Sequence, residues 1–273
     1  MAKLGLIAGG GDLPRRLAEH VRASGRGVFV LALKGFADPG LATEFDGAEA
    51  AMGQLGKGLR LLKDAGCEEV AFAGTVKRPD FSALQVDMRG AALLPELLVA
   101  ATKGDDAILR AVLGVFEKEG FRVVGADDVL ASLLAPAGSI GQRVPSDADW
   151  ADIREAAREA ASIGLQDVGQ GAVARAGKVI ESETQDGTDA MLRRVAALGG
   201  RGGVLVKRPK PQQERRIDLP TIGAATVKGA ADAGLVGIAV EAGGALIVDR
   251  AEVGALADRL GIFVYGFTAT EAA

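Results

Sequence analysis

The sequence predicts an α/β protein of two domains, and three observations predict it. Short apolar runs alternate with helical-period stretches along the whole chain, the pattern of strands joined by crossover helices in a largely parallel sheet. At 273 residues the chain is long for one core. A turn-rich segment, Ala135-Pro136-Ala137-Gly138-Ser139 through Pro145-Ser146, separates two helical stretches. The expected organisation is a Rossmann-like domain over residues 1–135, a linker over 136–148 and a C-terminal α/β domain over 149–273.

In the first half, Leu4–Ala8, Val28–Leu33, Val70–Ala73 and Arg122–Val124 read as strands. Leu13–Ala23, Lys57–Ala65, Leu93–Ala101 and Ala107–Glu119 read as helices between them. In the second half, Asp149–Ile163 reads as a helix, and Ala172–Ala174 with Lys178–Glu181 as a hairpin around Arg175-Ala176-Gly177. Helices from Asp189, from Thr226 and over Ala251–Leu260 alternate with strands Gly203–Val206, Gly237–Val240, Ala245–Val248 and Ile262–Tyr265.

Composition narrows the chemistry. The formal net charge is −4 and aromatic residues make up 4%, which argues against nucleic acid as partner. A single Cys67 excludes an intrachain disulfide framework and a cysteine-based zinc cluster. A single histidine, His20, falls inside an expected helix, away from any catalytic triad. What remains is carboxylates, Lys and Arg, hydroxyls and backbone amides. The first residues run straight into glycines without a signal-peptide core, and no apolar stretch reaches membrane-spanning length, so a cytoplasmic location is expected.

Two loops in the first half invite an anion. Ala8-Gly9-Gly10-Gly11-Asp12-Leu13-Pro14 joins a strand to a helix, where glycines admit a ligand and helix N–H groups face it. Pro14 stands where a dinucleotide fingerprint would need its third glycine, so a nucleotide-dependent oxidoreductase is the weaker rival. Gly74-Thr75-Val76-Lys77-Arg78-Pro79 follows another strand with a hydroxyl and two cations. Gly35-Phe36 and Gly53-Gln54 fall at strand ends that would line the same crevice.

Two constellations mark the second half. Glu181-Ser182-Glu183-Thr184-Gln185-Asp186-Gly187-Thr188-Asp189 packs more acids and hydroxyls before a helix than a cap needs, and clustered oxygens beside phosphate suit Mg²⁺. Lys207, Arg208, Lys210, Arg215 and Arg216 crowd one loop, as a site handling growing phosphate charge requires. Asp218, in Asp218-Leu219-Pro220-Thr221-Ile222-Gly223, is the carboxylate singled out most strongly.

Together with Gly237-Ile238-Ala239-Val240-Glu241-Ala242-Gly243, these motifs resemble the LpxI-type UDP-2,3-diacylglucosamine pyrophosphatases of lipid A biosynthesis, in order and over almost the whole chain. The resemblance implies hydrolysis of UDP-2,3-diacylglucosamine to UMP and 2,3-diacylglucosamine 1-phosphate (lipid X), with Mg²⁺ or Mn²⁺. It also implies a homodimer, peripheral contact with the inner membrane, and lipid held in a cleft between the domains. Gly9, Gly10, Gly11, Asp12, Gln54, Gly74, Thr75, Lys77, Gly187 and Thr188 would bind substrate. Asp189 and Asp218 would hold the metal, with Lys207 in the catalytic set. The family pattern places an acid just before Thr226, where this chain has Ala225. That departure opens a second reading, an inactivated or non-catalytic UDP-sugar and lipid binder.

Overall fold

The computed structural model describes residues 2–77 and 84–272. The chain divides into two compact units, one of residues 1–131 with 214–218, the other of 132–213 with 219–273.

Unit one begins with β1 (Lys3–Ala8), α1 (Leu13–Ala23), β2 (Val28–Leu33), α2 (Leu41–Glu44), β3 (Gly47–Ala50), α3 (Leu55–Asp64) and β4 (Cys67–Ala73). It continues with α4 (Met88–Ala101), α5 (Asp105–Lys118), β5 (Arg122–Val123) and α6 (Ala126–Val129). Its strands pair in parallel in the order β3-β2-β1-β4-β5. β1 and β2 are apolar at nearly every position because a central parallel strand is covered on both faces. α1 turns Leu17, Ala18 and Val21 to the sheet, and Leu62, Val70, Leu113 and Phe116 fill the opposite side. Residues 214–218 complete this unit: Glu214 N–H donates to Asp106 Oδ1 at 2.8 Å, and Ile217 packs on the same apolar cluster.

Three elements of unit one, α2, β3 and α6, escape the sequence pattern. α2 and β3 have four residues each, and Gly47-Ala48-Glu49-Ala50 carries no β-branched residue to mark a strand. α4 starts at Met88, earlier than its apolar run, because Asp87 caps it by accepting from Gly90 N–H at 2.8 Å.

Unit two holds β6 (Gly138–Ser139), α7 (Asp147–Leu165), β7 (Gly171–Arg175), β8 (Lys178–Ser182), α8 (Thr188–Leu198) and β9 (Val204–Lys207). Then come β10 (Thr221–Ile222), α9 (Ala224–Asp232), β11 (Gly237–Glu241), β12 (Leu246–Ile247), α10 (Arg250–Leu260) and β13 (Phe263–Phe267). The main sheet runs β6-β13-β11-β9-β7-β8; β9, β11 and β13 are parallel, while β6 and β7 run against their neighbours. β10 and β12 form a separate parallel pair. The expected hairpin is present as β7–β8, with Ala176 and Gly177 both at positive φ, the backbone of a tight primed turn. α9 starts two residues before the expected Thr226, whose hydroxyl accepts from Gly223 N–H at 3.5 Å. Among the described residues no helix is long and apolar enough to cross a membrane.

Candidate functional site

In unit one, the strand order reverses between β1 and β4, and ligands in open α/β sheets settle outside the carboxyl ends of strands at such a point. The two loops singled out from sequence meet there. Gly9 N–H donates to Ala73 O at 2.8 Å, Gly10 N–H to Thr75 O at 2.9 Å and Thr75 N–H back to Gly10 O at 2.8 Å. The approach is too close for side chains. A Cβ on Gly9 would lie 2.8 Å from Thr75 O, one on Gly10 3.0 Å from Phe36 O, and one on Gly74 2.5 Å from Gly10 O. Gly11 and Gly74 also sit at positive φ. The glycines are thus fully explained by the junction itself, which sets a backbone surface at the start of α1.

The side chains around this junction divide. Asp12 is exposed at the start of α1 and makes no capping bond, leaving the helix N–H groups without a side-chain acceptor. Gln54 is turned to local work, accepting from Ala51 N–H at 3.1 Å. Gly53 packs against residue 85, where a Cβ would lie 2.4 Å from Gln85 O. Lys77 is exposed, and Arg78 and Pro79 lie outside the described residues.

In unit two, the surplus of acids before α8 sorts into roles the sequence does not show. Glu181 pairs with Arg194 at 3.1 Å, and Asp186 pairs with Arg194 and the Thr184 hydroxyl. The Thr184 hydroxyl, opposed by slight burial, and then Arg194 hold the Asp186 carboxyl below its ordinary value. Glu183 is buried and accepts from Gln170 N–H at 2.9 Å and from the Thr188 hydroxyl at 2.6 Å. Asp189, exposed in the first turn of α8 beside the positive-φ Gly187, has no ion pair among the described residues.

The basic loop sorts in the same way. Arg208 pairs with Glu241 at 2.9 Å, and Lys210 with Asp167 at 2.6 Å. Lys207 is different. It closes β9, is only 5% exposed, and its ammonium reaches one neutral acceptor, the Thr221 carbonyl, at 3.4 Å. Among the described residues no carboxylate pairs with it. A buried ammonium is costly without an anion. Its place at the carboxyl end of a parallel strand suits a phosphate. The sequence singled out Lys207 as one of five cations; burial sets it apart from Arg208 and Lys210.

Asp218 belongs with unit one, in the segment whose Glu214 carboxyl is held below its ordinary value chiefly by Arg216. Asp218 N–H donates to Glu214 O at 3.1 Å. Ala225 is exposed in the first turn of α9, a turn that carries no acid. Among the described residues no three His, Cys, Asp or Glu side chains gather as a metal cage.

Comparison with known proteins matches both halves of the chain. A model of the LpxI N-terminal domain matches residues 3–133, and a model of the LpxI C-terminal domain matches residues 136–265. UDP-2,3-diacylglucosamine pyrophosphatase LpxI of Caulobacter vibrioides is 54% identical over 97% of this chain and 98% of its own. A solved structure of N5-carboxyaminoimidazole synthase from Aspergillus clavatus covers 73% of this chain and 44% of its own at 13% identity, with a TM-score of 0.27, too slight a likeness to carry an argument.

Proposed function

The chain belongs to the LpxI family, and from that premise we propose that it splits the pyrophosphate of UDP-2,3-diacylglucosamine with water, releasing UMP and 2,3-diacylglucosamine 1-phosphate. The observation that carries this reading is the buried Lys207 ammonium at the end of β9, which no carboxylate among the described residues neutralises. A cation so placed holds a phosphate oxygen and stabilises the charge that grows there as the bridging bond breaks. The backbone N–H groups of Thr188 and its neighbours at the start of α8 offer further donors, and Asp189 is the acid left open beside them. The first turn of α1, set by the glycine junction of Gly9–Gly11 with Gly74–Thr75, offers its backbone N–H groups to the nucleotide moiety.

Mg²⁺, with Mn²⁺ as substitute, is the cofactor in this reading, with Asp189 or Asp218 as the carboxylate that would hold it. Such an ion would neutralise charge on the phosphate oxygens. Homodimer formation and peripheral contact with the inner membrane belong to the same reading and are checked by sedimentation and by vesicle flotation.

Position 225 decides between turnover and binding. A carboxylate there would orient or deprotonate water, which alanine cannot do. Exposed in the first helical turn, Ala225 leaves room for one, and the helix dipole favours it. The test follows UMP release by this chain and by its Ala225→Asp form, with Mg²⁺ and with chelator. The Asp form is expected to be faster by at least about 10²-fold, the lower range for a positioned acid–base group. Equal rates make residue 225 a bystander and return catalysis to Asp189 or Asp218. Tight binding of the nucleotide lipid with no UMP from either form establishes the non-catalytic reading.

A further inference from the structure

We propose that Glu183, Gln170 and Gln213 form a buried polar link that ties the acid–hydroxyl turn before α8 to the cation-bearing segment after β9, so that binding at one is felt at the other. The three are positioning residues, and the proposal rests on the hydrolase reading only for what the site acts on.

The link can be followed atom by atom. Thr188 Oγ1 donates to Glu183 Oε1 at 2.6 Å, and Gln170 N–H donates to Glu183 Oε2 at 2.9 Å. Gln170 then serves the other side twice. Its carbonyl accepts from Arg208 N–H at 3.0 Å, and its Oε1 accepts from Gln213 Nε2 at 2.9 Å. Gln213 Oε1 in turn accepts from Lys210 N–H at 2.9 Å. Glu183 is 5% exposed, Gln213 7% and Gln170 half-buried, so these bonds are largely shielded from water, where a broken one is costly.

The backbone carries the same connection. Gly171 lies opposite Lys207 in the β7–β9 register, and its carbonyl accepts from Glu183 N–H at 2.9 Å. The Glu183 carboxylate lies over Gly171, where an added Cβ would meet Oε2 at 3.4 Å. Glu183, Gly171 and Lys207 therefore stand at one level across the sheet, with Thr188 hung from the first and the phosphate-seeking ammonium on the last. A buried carboxylate is a costly way to cap one turn, and a coupling of two loops gives it a reason that a cap does not.

Hydrogen exchange tests this, with UMP as probe. In the native chain, saturating UMP is expected to slow amide exchange over residues 184–190. Gln213→Ala, changed on the far side of the link, is expected to speed exchange there by about fivefold to tenfold, the effect of losing one buried hydrogen bond in a local opening. UMP protection of that turn should also be lost although calorimetry still records UMP binding. Glu183→Gln retains an acceptor for Gln170 N–H and a donor to Thr188, and should restore near-native exchange where Glu183→Ala does not. Should Glu183→Ala fail to fold, Gln213→Ala and Glu183→Gln decide the matter. Unchanged exchange at 184–190 in a folded Gln213→Ala protein overturns the link. If the native chain binds no UMP, the hydrolase reading falls, while the exchange comparison between variants still decides this inference.

Discussion

The glycine junction of unit one and the charged end of β9 in unit two are both phosphate-friendly surfaces, yet they are made from opposite materials. At Gly9–Gly11 and Gly74–Thr75 the surface is backbone: N–H and C=O groups bonded to one another at van der Waals limits, with exposed or locally occupied side chains around them. At Lys207 the feature is a single side-chain charge kept out of water, while Arg208 and Lys210, next in the chain, are already paired with acids. The first surface is sensitive to volume and indifferent to charge. The second is sensitive to charge and keeps an ammonium where burial costs stability.

The sharpest way to break the contrast is Gly74→Ala. Its φ of +92° is poorly suited to alanine, and the methyl would lie 2.5 Å from Gly10 O and 2.8 Å from the Pro14 ring. Strain and overpacking add to a loss of about 3 kcal/mol in unfolding free energy. Urea denaturation should show a lower midpoint, with UMP binding reduced through distortion of the junction. A variant as stable as the native chain would mean the two loops meet less tightly than their hydrogen bonds indicate.

Lys207→Met probes the other surface and should move stability and binding in opposite directions. The substitution removes a buried charge and leaves a chain of similar length, so the unfolding free energy should rise by about 1 kcal/mol. Binding of UMP should weaken by about tenfold or more, the usual range for one charge-assisted hydrogen bond. Thermal unfolding and calorimetry read the two effects separately. A loss of stability would show that Lys207 has a structural partner that outweighs its burial.

This contrast also explains what was legible in the sequence. The alternating pattern revealed most strands and helices because both sheets are covered, and covered strands must be apolar. α2 and β3 were hidden because four-residue elements leave no period to read. The glycine loops were found because close backbone contact excludes every other residue type, a demand visible one position at a time. The charge clusters were found as clusters but could not be sorted. Nothing in Glu181 through Asp189, or in Lys207 through Arg216, tells which acid meets Arg194 and which cation meets Asp167, for those pairings depend on how strand, turn and helix fold back on one another. Glu183 and Lys207 differ from their neighbours only in burial, a property of the folded sheet. Gln170 and Gln213 had no chemical signal at all.

The smallest effect expected is at Asp87, a charged group of unit one that serves the backbone. Its carboxylate accepts from Gly90 N–H at 2.8 Å and from Lys57 N–H at 2.9 Å, capping the starts of α4 and α3 together. Burial pushes the Asp87 carboxyl up, but the N–H groups of Gly90, Lys57, Gly56 and Arg89 outweigh it and hold it below its ordinary value. A carboxyl depressed in the native state binds its proton more weakly there than in the unfolded chain. Its contribution is therefore fully present above the unfolded value near pH 4 and is lost as the pH falls through the native value. Asp87→Ala should cost about 1 kcal/mol at neutral pH, the worth of a helix cap, with the gap from the native chain narrowing below about pH 4. Asp87→Asn keeps one acceptor and no titrating proton, so its smaller deficit should also shrink in acid as the native chain loses its charged cap. Urea midpoints of the three proteins at neutral and acidic pH check this, and a gap independent of pH would mean that the carboxylate's charge adds nothing to the two helix starts it joins.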